Sequence, residues 1–80
     1  MRATVLVRPK DGILDPQGEA VESSLRKLGF DVQSVRVGKV IDVEVQADGT
    51  APARAELERM CDELLANPLI ESYEIHLDES

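Results

Sequence analysis

Apolar positions recur at two different spacings along the chain, and each change of spacing predicts a change of element. A first strand is predicted over residues 3–8, where β-branched residues alternate and Pro9 closes the run. A helix is predicted from Asp15–Pro16, because aspartate caps the free amides of a first turn and proline suits the first helical position. Gly29 predicts the end of this helix, whose core-facing stripe is Val21, Leu25 and Leu28.

A spacing of two returns after Asp31. Residues 34–37 and 41–45 both alternate, and Gly38–Lys39 between them predicts two strands joined as a hairpin. One long strand bent at Gly38 by a bulge is the alternative. Asp48–Gly49 then predicts a turn.

The second helix is the clearest element of the pattern. Pro52 stands near its first turn, and its apolar stripe recurs at i, i+3, i+4, i+7 and i+8 through Leu57, Met60, Cys61, Leu64 and Leu65. Asn67–Pro68 predicts its end, because a residue before proline avoids the helical conformation. Residues 69–77 alternate again and predict a last strand, with a tail expected to fray over Asp78, Glu79 and Ser80.

The predicted order is βαββαβ over a single domain, residues 1–80. We expect an α+β fold of ferredoxin-like pattern, with two layers, an antiparallel sheet and both helices on one of its faces. A domain of this size buries only about 60% of the surface that its unfolded chain exposes. Small domains often gain stability by oligomerising, so the size is a first indication of a partner.

Charge is unevenly divided between the two halves of the chain. The net charge of −7 disfavours nucleic-acid binding, which depends on neutralising phosphates. Residues 1–40 hold seven basic and five acidic residues, whereas residues 41–80 hold two basic and eleven acidic ones. Either the acidic half is a solvated surface, or the basic residues of the first half meet an anionic partner. Without a signal peptide or a long apolar run, the expected location is the cytoplasm.

Residues that could carry catalysis are few. His76 is the only histidine, and Cys61 lies on the apolar stripe of the second helix, where a buried structural thiol is expected. No phosphate-binding loop or dinucleotide fingerprint is present. We therefore predict no catalytic, cofactor-binding or metal-binding residue in this chain.

The segment from Lys10 to Gly18 is unusual, because it places a glycine in the first turn of a helix. Glycine there costs up to about 1 kcal/mol relative to alanine. One interpretation is a capped loop that tucks Ile13 and Leu14 under the helix. The other is that a side chain at position 18 would obstruct a partner approaching the helix start.

This segment, Pro-Lys-Asp-Gly-Ile-Leu-Asp-Pro-Gln-Gly over residues 9–18, resembles the signature of the PurS family. The resemblance continues through Leu28–Gly29, through Val35, Arg36, Gly38 and Lys39, and through a Cys-x-x-Leu-Leu-Ala-Asn-Pro run from Cys61 to Pro68 that extends to Tyr73. It covers about residues 3–77. The loop motif is specific, and the other two would be weak alone.

The resemblance implies a non-catalytic accessory subunit of phosphoribosylformylglycinamidine synthase in purine biosynthesis. Such chains dimerise and assemble a PurL-like synthetase subunit with a PurQ-like glutaminase subunit, so that ammonia from glutamine reaches formylglycinamide ribonucleotide. ATP and Mg²⁺ would then be used by the partner, and this chain would need no cofactor. The partner-facing edge is expected to comprise Lys10, Asp15, Pro16, Gln17, Gly18, Arg36 and Lys39.

Two other functions share the predicted element order. A small-molecule-sensing module of the ACT type would need a glycine-containing ligand loop after the first strand, which Gly12 satisfies loosely. An acylphosphatase-like enzyme would need an arginine in a phosphate-cradling loop and a catalytic asparagine. The asparagine at position 67 precedes a proline at a helix end, which disfavours this second function.

Overall fold

A computed structural model describes residues 1–78, and over these residues the predicted α+β architecture is confirmed. In chain order, the elements are strand β1 (Arg2–Pro9), helix α1 (Pro16–Lys27), strand β2 (Lys39–Glu44), helix α2 (Thr50–Met60) with a π-helical turn (Cys61–Leu65), and strand β3 (Glu71–Asp78). Asp78 ends β3, whereas Glu79 and Ser80 of the expected frayed tail lie outside the described residues. No helix in the described range is long and apolar enough to cross a membrane.

The sheet is antiparallel in the order β2-β1-β3, so β1 is its central strand. In the register, Val5 lies between Ile41 of β2 and Ile75 of β3. Alternation along β1 places Ala3, Val5 and Val7 on one face, and all three are buried. The predicted core face of the first strand is therefore confirmed.

The predicted hairpin is wrong, and the described chain has three strands instead of four. Residues 34–38 form no strand, and β2 pairs only with β1. These residues lead directly into β2 without a hairpin turn at Gly38. The path is therefore closer to the alternative of one continuous segment through Gly38, although only Lys39–Glu44 form a strand. A Cβ atom on Gly38 would overlap the carbonyl oxygen of Val7, which explains the glycine at this close approach.

The core is small and consists of small side chains. Leu57 of α2 is its largest fully buried member, followed by Val5, Val7 and Cys61. The remaining buried residues are Ala3, Val45, Ala53 and Ala66. Helix α2 thus packs on the inner face of the sheet through a small number of aliphatic side chains. The core within one chain therefore provides limited hydrophobic stabilisation.

The π-helical turn changes which residues of the second helix face the core. The amide of Ala66 donates to the carbonyl oxygen of Cys61, five residues back, at 3.0 Å. The wider turn carries Leu64 to the outside, where 84% of it is exposed, although the sequence pattern places it on the buried stripe. Leu57 and Cys61 are buried as predicted.

Helix α1 has the predicted ends but not the predicted packing. Asp15 caps its start, and the amide of Phe30 donates to the carbonyl oxygen of Leu25 at 3.0 Å around Gly29, whose φ is 97°. Gly18 is nevertheless its only buried residue. The expectation that both helices bury an apolar stripe on the sheet of their own chain is therefore met by α2 alone.

Candidate partner-binding surfaces

The groups that could carry catalysis are placed unfavourably for it. The side chain of His76 is 62% exposed, and its Nε2 lies 3.2 Å from a carboxylate oxygen of Glu74. Burial raises the pKa of the Cys61 thiol, and the nearby carboxylates of Asp62 and Glu58 raise it further, so the reactive thiolate is disfavoured. Within residues 1–78, no group of three or more histidines, cysteines or acids could hold a metal ion.

Asp15 connects the loop before α1 to the residues before β2. Its Oδ1 accepts from the amide of Gly18 at 3.1 Å, and its Oδ2 accepts from the amide of Val37 at 2.9 Å. These two hydrogen bonds, that of Val37 first, lower the pKa of Asp15 below its ordinary value. The carboxylate therefore organises the loop and helix start within its own chain, a role beyond the predicted helix cap.

Gly18 lies buried beneath this connection. A Cβ atom there would overlap the carbonyl oxygen of Val35 and the carboxylate of Asp15. The overlap with Val35 involves a backbone atom, which moves less readily than the far end of a side chain such as that of Asp15. The unusual glycine is thus explained by a close approach within the chain, and Gly18 presents no side-chain surface to a partner.

Replacing Gly18 by alanine is expected to lower the free energy of unfolding, whereas helix propensity alone would raise it. Propensity alone favours alanine over glycine in a helix by up to about 1 kcal/mol, whereas overpacking costs typically about 1–3 kcal/mol. Urea unfolding of Gly18→Ala measures the difference. Ser23→Ala, at an exposed position of the same helix, is the matched control and should be neutral or slightly stabilising. A stabilised Gly18→Ala variant would contradict the close approach.

The other residues of the expected edge lie on the surface around Asp15. Arg36 joins the two segments, since its Nη2 donates to the carbonyl oxygens of Pro9 at 3.1 Å and Lys10 at 2.7 Å. Nζ of Lys10 donates to the carbonyl oxygen of Pro68 at 2.6 Å. Pro16 and Gln17 are exposed, as are Lys10, Arg36 and Lys39. Residues 10–18 and 35–39 are therefore brought together, and we call them the loop edge.

A second surface is apolar and lies on α1. Leu28 is 73% exposed, Phe30 58% and Val21 42%, and Leu25 between them is half-buried. These four residues are called the α1 face. Leu25 lies four positions after Val21, and Leu28 lies three positions after Leu25. Residues at these spacings are neighbours on one side of a helix, so the stripe is continuous. Contiguous exposed apolar surface of this kind marks an interaction site.

Sequence reasoning missed two features of these surfaces. It assigned the α1 face to the core, because amphipathic spacing shows that a stripe is buried but not which chain buries it. It also passed over Arg8, which lies at the end of β1 and has no hydrogen-bond or ion-pair partner within residues 1–78. The signal for Arg8 was its position two residues before Lys10, in the basic half of the chain.

Known proteins of one family match this chain over nearly its whole length. The family model of PurS, described as phosphoribosylformylglycinamidine (FGAM) synthase, matches residues 2–79. The PurS subunit of Methanocaldococcus jannaschii is 38% identical over 79 residues, which cover 98% of this chain and 95% of that protein.

Solved structures agree with the sequence comparison. Bacillus subtilis PurS superposes with a TM-score of 0.88 at 34% identity, covering 98% of each chain. A chain in the structure of PurLQS from Thermotoga maritima superposes with a TM-score of 0.85 at 36% identity, covering 94% of this chain and 93% of that one.

Proposed function

The chain belongs to the PurS family, and we propose that it is the small, non-catalytic subunit of a phosphoribosylformylglycinamidine synthase in purine biosynthesis. The observation that supports this most directly is the likeness, over nearly the whole chain, to PurS proteins, including one solved within PurLQS. In this role the chain brings a PurL-like synthetase subunit and a PurQ-like glutaminase subunit together, so that ammonia from glutamine reaches formylglycinamide ribonucleotide without escaping to water.

The chemistry of the reaction belongs to the partners in this proposal. Glutamine hydrolysis needs an activated nucleophile, and the one thiol here is buried with a raised pKa. ATP and Mg²⁺ are used by the synthetase subunit, and this chain contributes no cofactor ligand. The complex works in the cytoplasm, in keeping with a reaction that consumes ATP and glutamine.

We propose further that the chain is a homodimer through the α1 face. A compact domain of 80 residues has a radius of gyration of about 12 Å, whereas this protomer has 15.9 Å and measures 50 × 28 × 14 Å. The extended shape follows from an α1 that buries only Gly18 against its own chain. A second copy supplies the missing cover, and a two-fold axis lets each α1 face be buried by the same contact.

The loop edge faces the partner subunits in this proposal. Lys10, Arg36 and Lys39 supply its exposed positive charge, and Pro16 and Gln17 supply its accessible helix start. Asp15 and Gly18 act through the loop geometry, since both are engaged within the chain. The edge therefore carries three cations against the two carboxylates of Asp11 and Asp15, on a chain whose net charge is −7.

Reconstitution tests the proposed function. The synthetase and glutaminase subunits encoded in the same genome are purified with and without this chain, and glutamine-dependent formation of formylglycinamidine ribonucleotide is measured. Synthesis from glutamine is expected to require the chain, whereas synthesis from added ammonium chloride needs only the synthetase. Full glutamine-dependent synthesis without the chain would overturn the accessory-subunit proposal.

A further inference from the structure

A cleft next to the loop edge combines positive charge with an apolar floor. It has a volume of about 320 Å³ and lies where β1 and the residues before β2 run side by side. Its floor includes Leu6 and Val40, which are paired in the register of β1 and β2. Val40 is 67% exposed, so its side chain is accessible to a partner.

Three cations and no carboxylate line this cleft: Arg8, Arg36 and Lys39. The guanidinium of Arg36 donates to the carbonyl oxygens of Pro9 and Lys10, and it also lies near enough to the Asp15 carboxylate to help lower the pKa of that group, so its charge is only partly balanced. Lys39 forms a long ion pair with Glu71 at 4.0 Å, and its register position opposite Val7 places it on the sheet face away from Leu6 and Val40. Arg8 has no hydrogen-bond or ion-pair partner within the described residues. The residues that line the cleft therefore carry a net positive charge on a chain whose net charge is −7, and Arg8 is the unpaired cation among them.

This combination selects the chemistry of an occupant. Cations beside an apolar floor bind carboxylates that flank aliphatic side chains, since charge complementarity sets orientation and the floor supplies buried apolar area. A small molecule fits less well. Small-molecule sites usually offer polar groups to the ligand, whereas every buried side-chain polar atom in residues 1–78 already has a hydrogen-bond partner. Three cations are too few for a nucleic acid against the negative charge of the chain.

We propose that this cleft docks an acidic segment of a partner subunit, in which carboxylates flank aliphatic residues. The inference rests on the proposed function, and it adds Arg8, Leu6 and Val40 to the contact surface. The α1 face is apolar, whereas the cleft is cationic, so the two surfaces suit different occupants. The chain then holds a second copy with one surface and a catalytic partner with the other.

Charge reversal at Arg8 tests the cleft without disturbing the fold. Arg8→Glu removes no hydrogen bond or ion pair within residues 1–78. The dissociation constant for binding of this chain to the synthetase and glutaminase subunits is measured at low and moderate salt. We expect the constant to rise at least tenfold, and the salt dependence of the remaining binding to fall. Arg54→Glu makes the same charge change on α2, where the arginine also has no partner in the described range, and should bind as the original chain does.

Val40→Gln tests the apolar floor independently, and weaker binding with unchanged thermal unfolding is expected. Failure of the unsubstituted chain to bind any partner would overturn the proposed function itself. Normal assembly by both Arg8→Glu and Val40→Gln would overturn only the cleft. A third outcome, in which Arg8→Glu binds the partners normally but becomes monomeric in light scattering, would assign the cleft to a second copy and overturn the proposal.

Discussion

Replacing Leu28 by lysine is expected to convert the proposed homodimer into monomers at micromolar concentration. Leu28 is 73% exposed in its own chain, so the substitution removes little from the protomer. Burial of a leucine side chain contributes about 1.5–3 kcal/mol. A two-fold dimer loses two of them, which raises its dissociation constant by roughly 10²–10⁴-fold. Size-exclusion chromatography with light scattering over a dilution series measures the change.

Lysine suits this test because the substitution lies at the C-terminal end of α1. A cation there is favourable to the helix dipole, so dissociation cannot be attributed to a weakened helix. Ser23→Lys, on the opposite side of the same helix, is the matched control and should remain dimeric. Dimers of Leu28→Lys as stable as those of the control would show that the α1 face lies outside the self-association interface.

The local sequence predicted the elements that depend on neighbouring residues. The capping aspartate at 15, the proline at 16 and the glycine at 29 predicted both ends of α1, because caps act over three or four residues. Alternation predicted that Val5 and Val7 share the buried face of β1. These predictions succeeded because each depends on a period or a cap that a short window contains.

The remaining features depend on contacts that a window does not contain. Apolar and polar residues alternate over residues 34–37 as they do in a strand. The amide of Val37 nevertheless donates its hydrogen bond to the carboxylate of Asp15 and not to a neighbouring strand. The same spacing criterion placed Leu64 and Leu28 in a core, but a π-helical turn exposes the first, and the second has no cover in its own chain. Pattern identifies an apolar face, whereas the surface that covers it depends on the whole assembly.

The candidate surfaces were predictable to a similar extent. The charge distribution left open whether the basic residues of the first half meet an anionic partner, and this stays a prediction; the structure does bring Arg36 against the backbone of Lys10. Gly18 was ambiguous because sequence does not show what approaches a glycine, and Val35 is the residue that does. The cleft required the strand register, since only the pairing of Leu6 with Val40 places an apolar floor beside Arg8.

Replacing Leu57 by alanine is expected to have the largest effect on the stability of the protomer. Leu57 is completely buried and is the largest side chain in a core otherwise made of valines, alanines and a cysteine. Removing a buried leucine side chain costs about 2–5 kcal/mol. A domain of this length has a total unfolding free energy of only about 4–12 kcal/mol. The variant should therefore be largely unfolded at a urea concentration that leaves the original chain folded.

Leu64→Ala is the matched control, because it makes the same chemical change seven residues later on the same helical stripe. An ordinary α-helix would bury both leucines and make the two substitutions similarly costly. The π-helical turn exposes 84% of Leu64, so its replacement should change the unfolding free energy by no more than about 0.5 kcal/mol. Equal losses at both positions, measured on the monomeric Leu28→Lys background, would contradict the π-helical turn and restore the continuous helix that the spacing predicts.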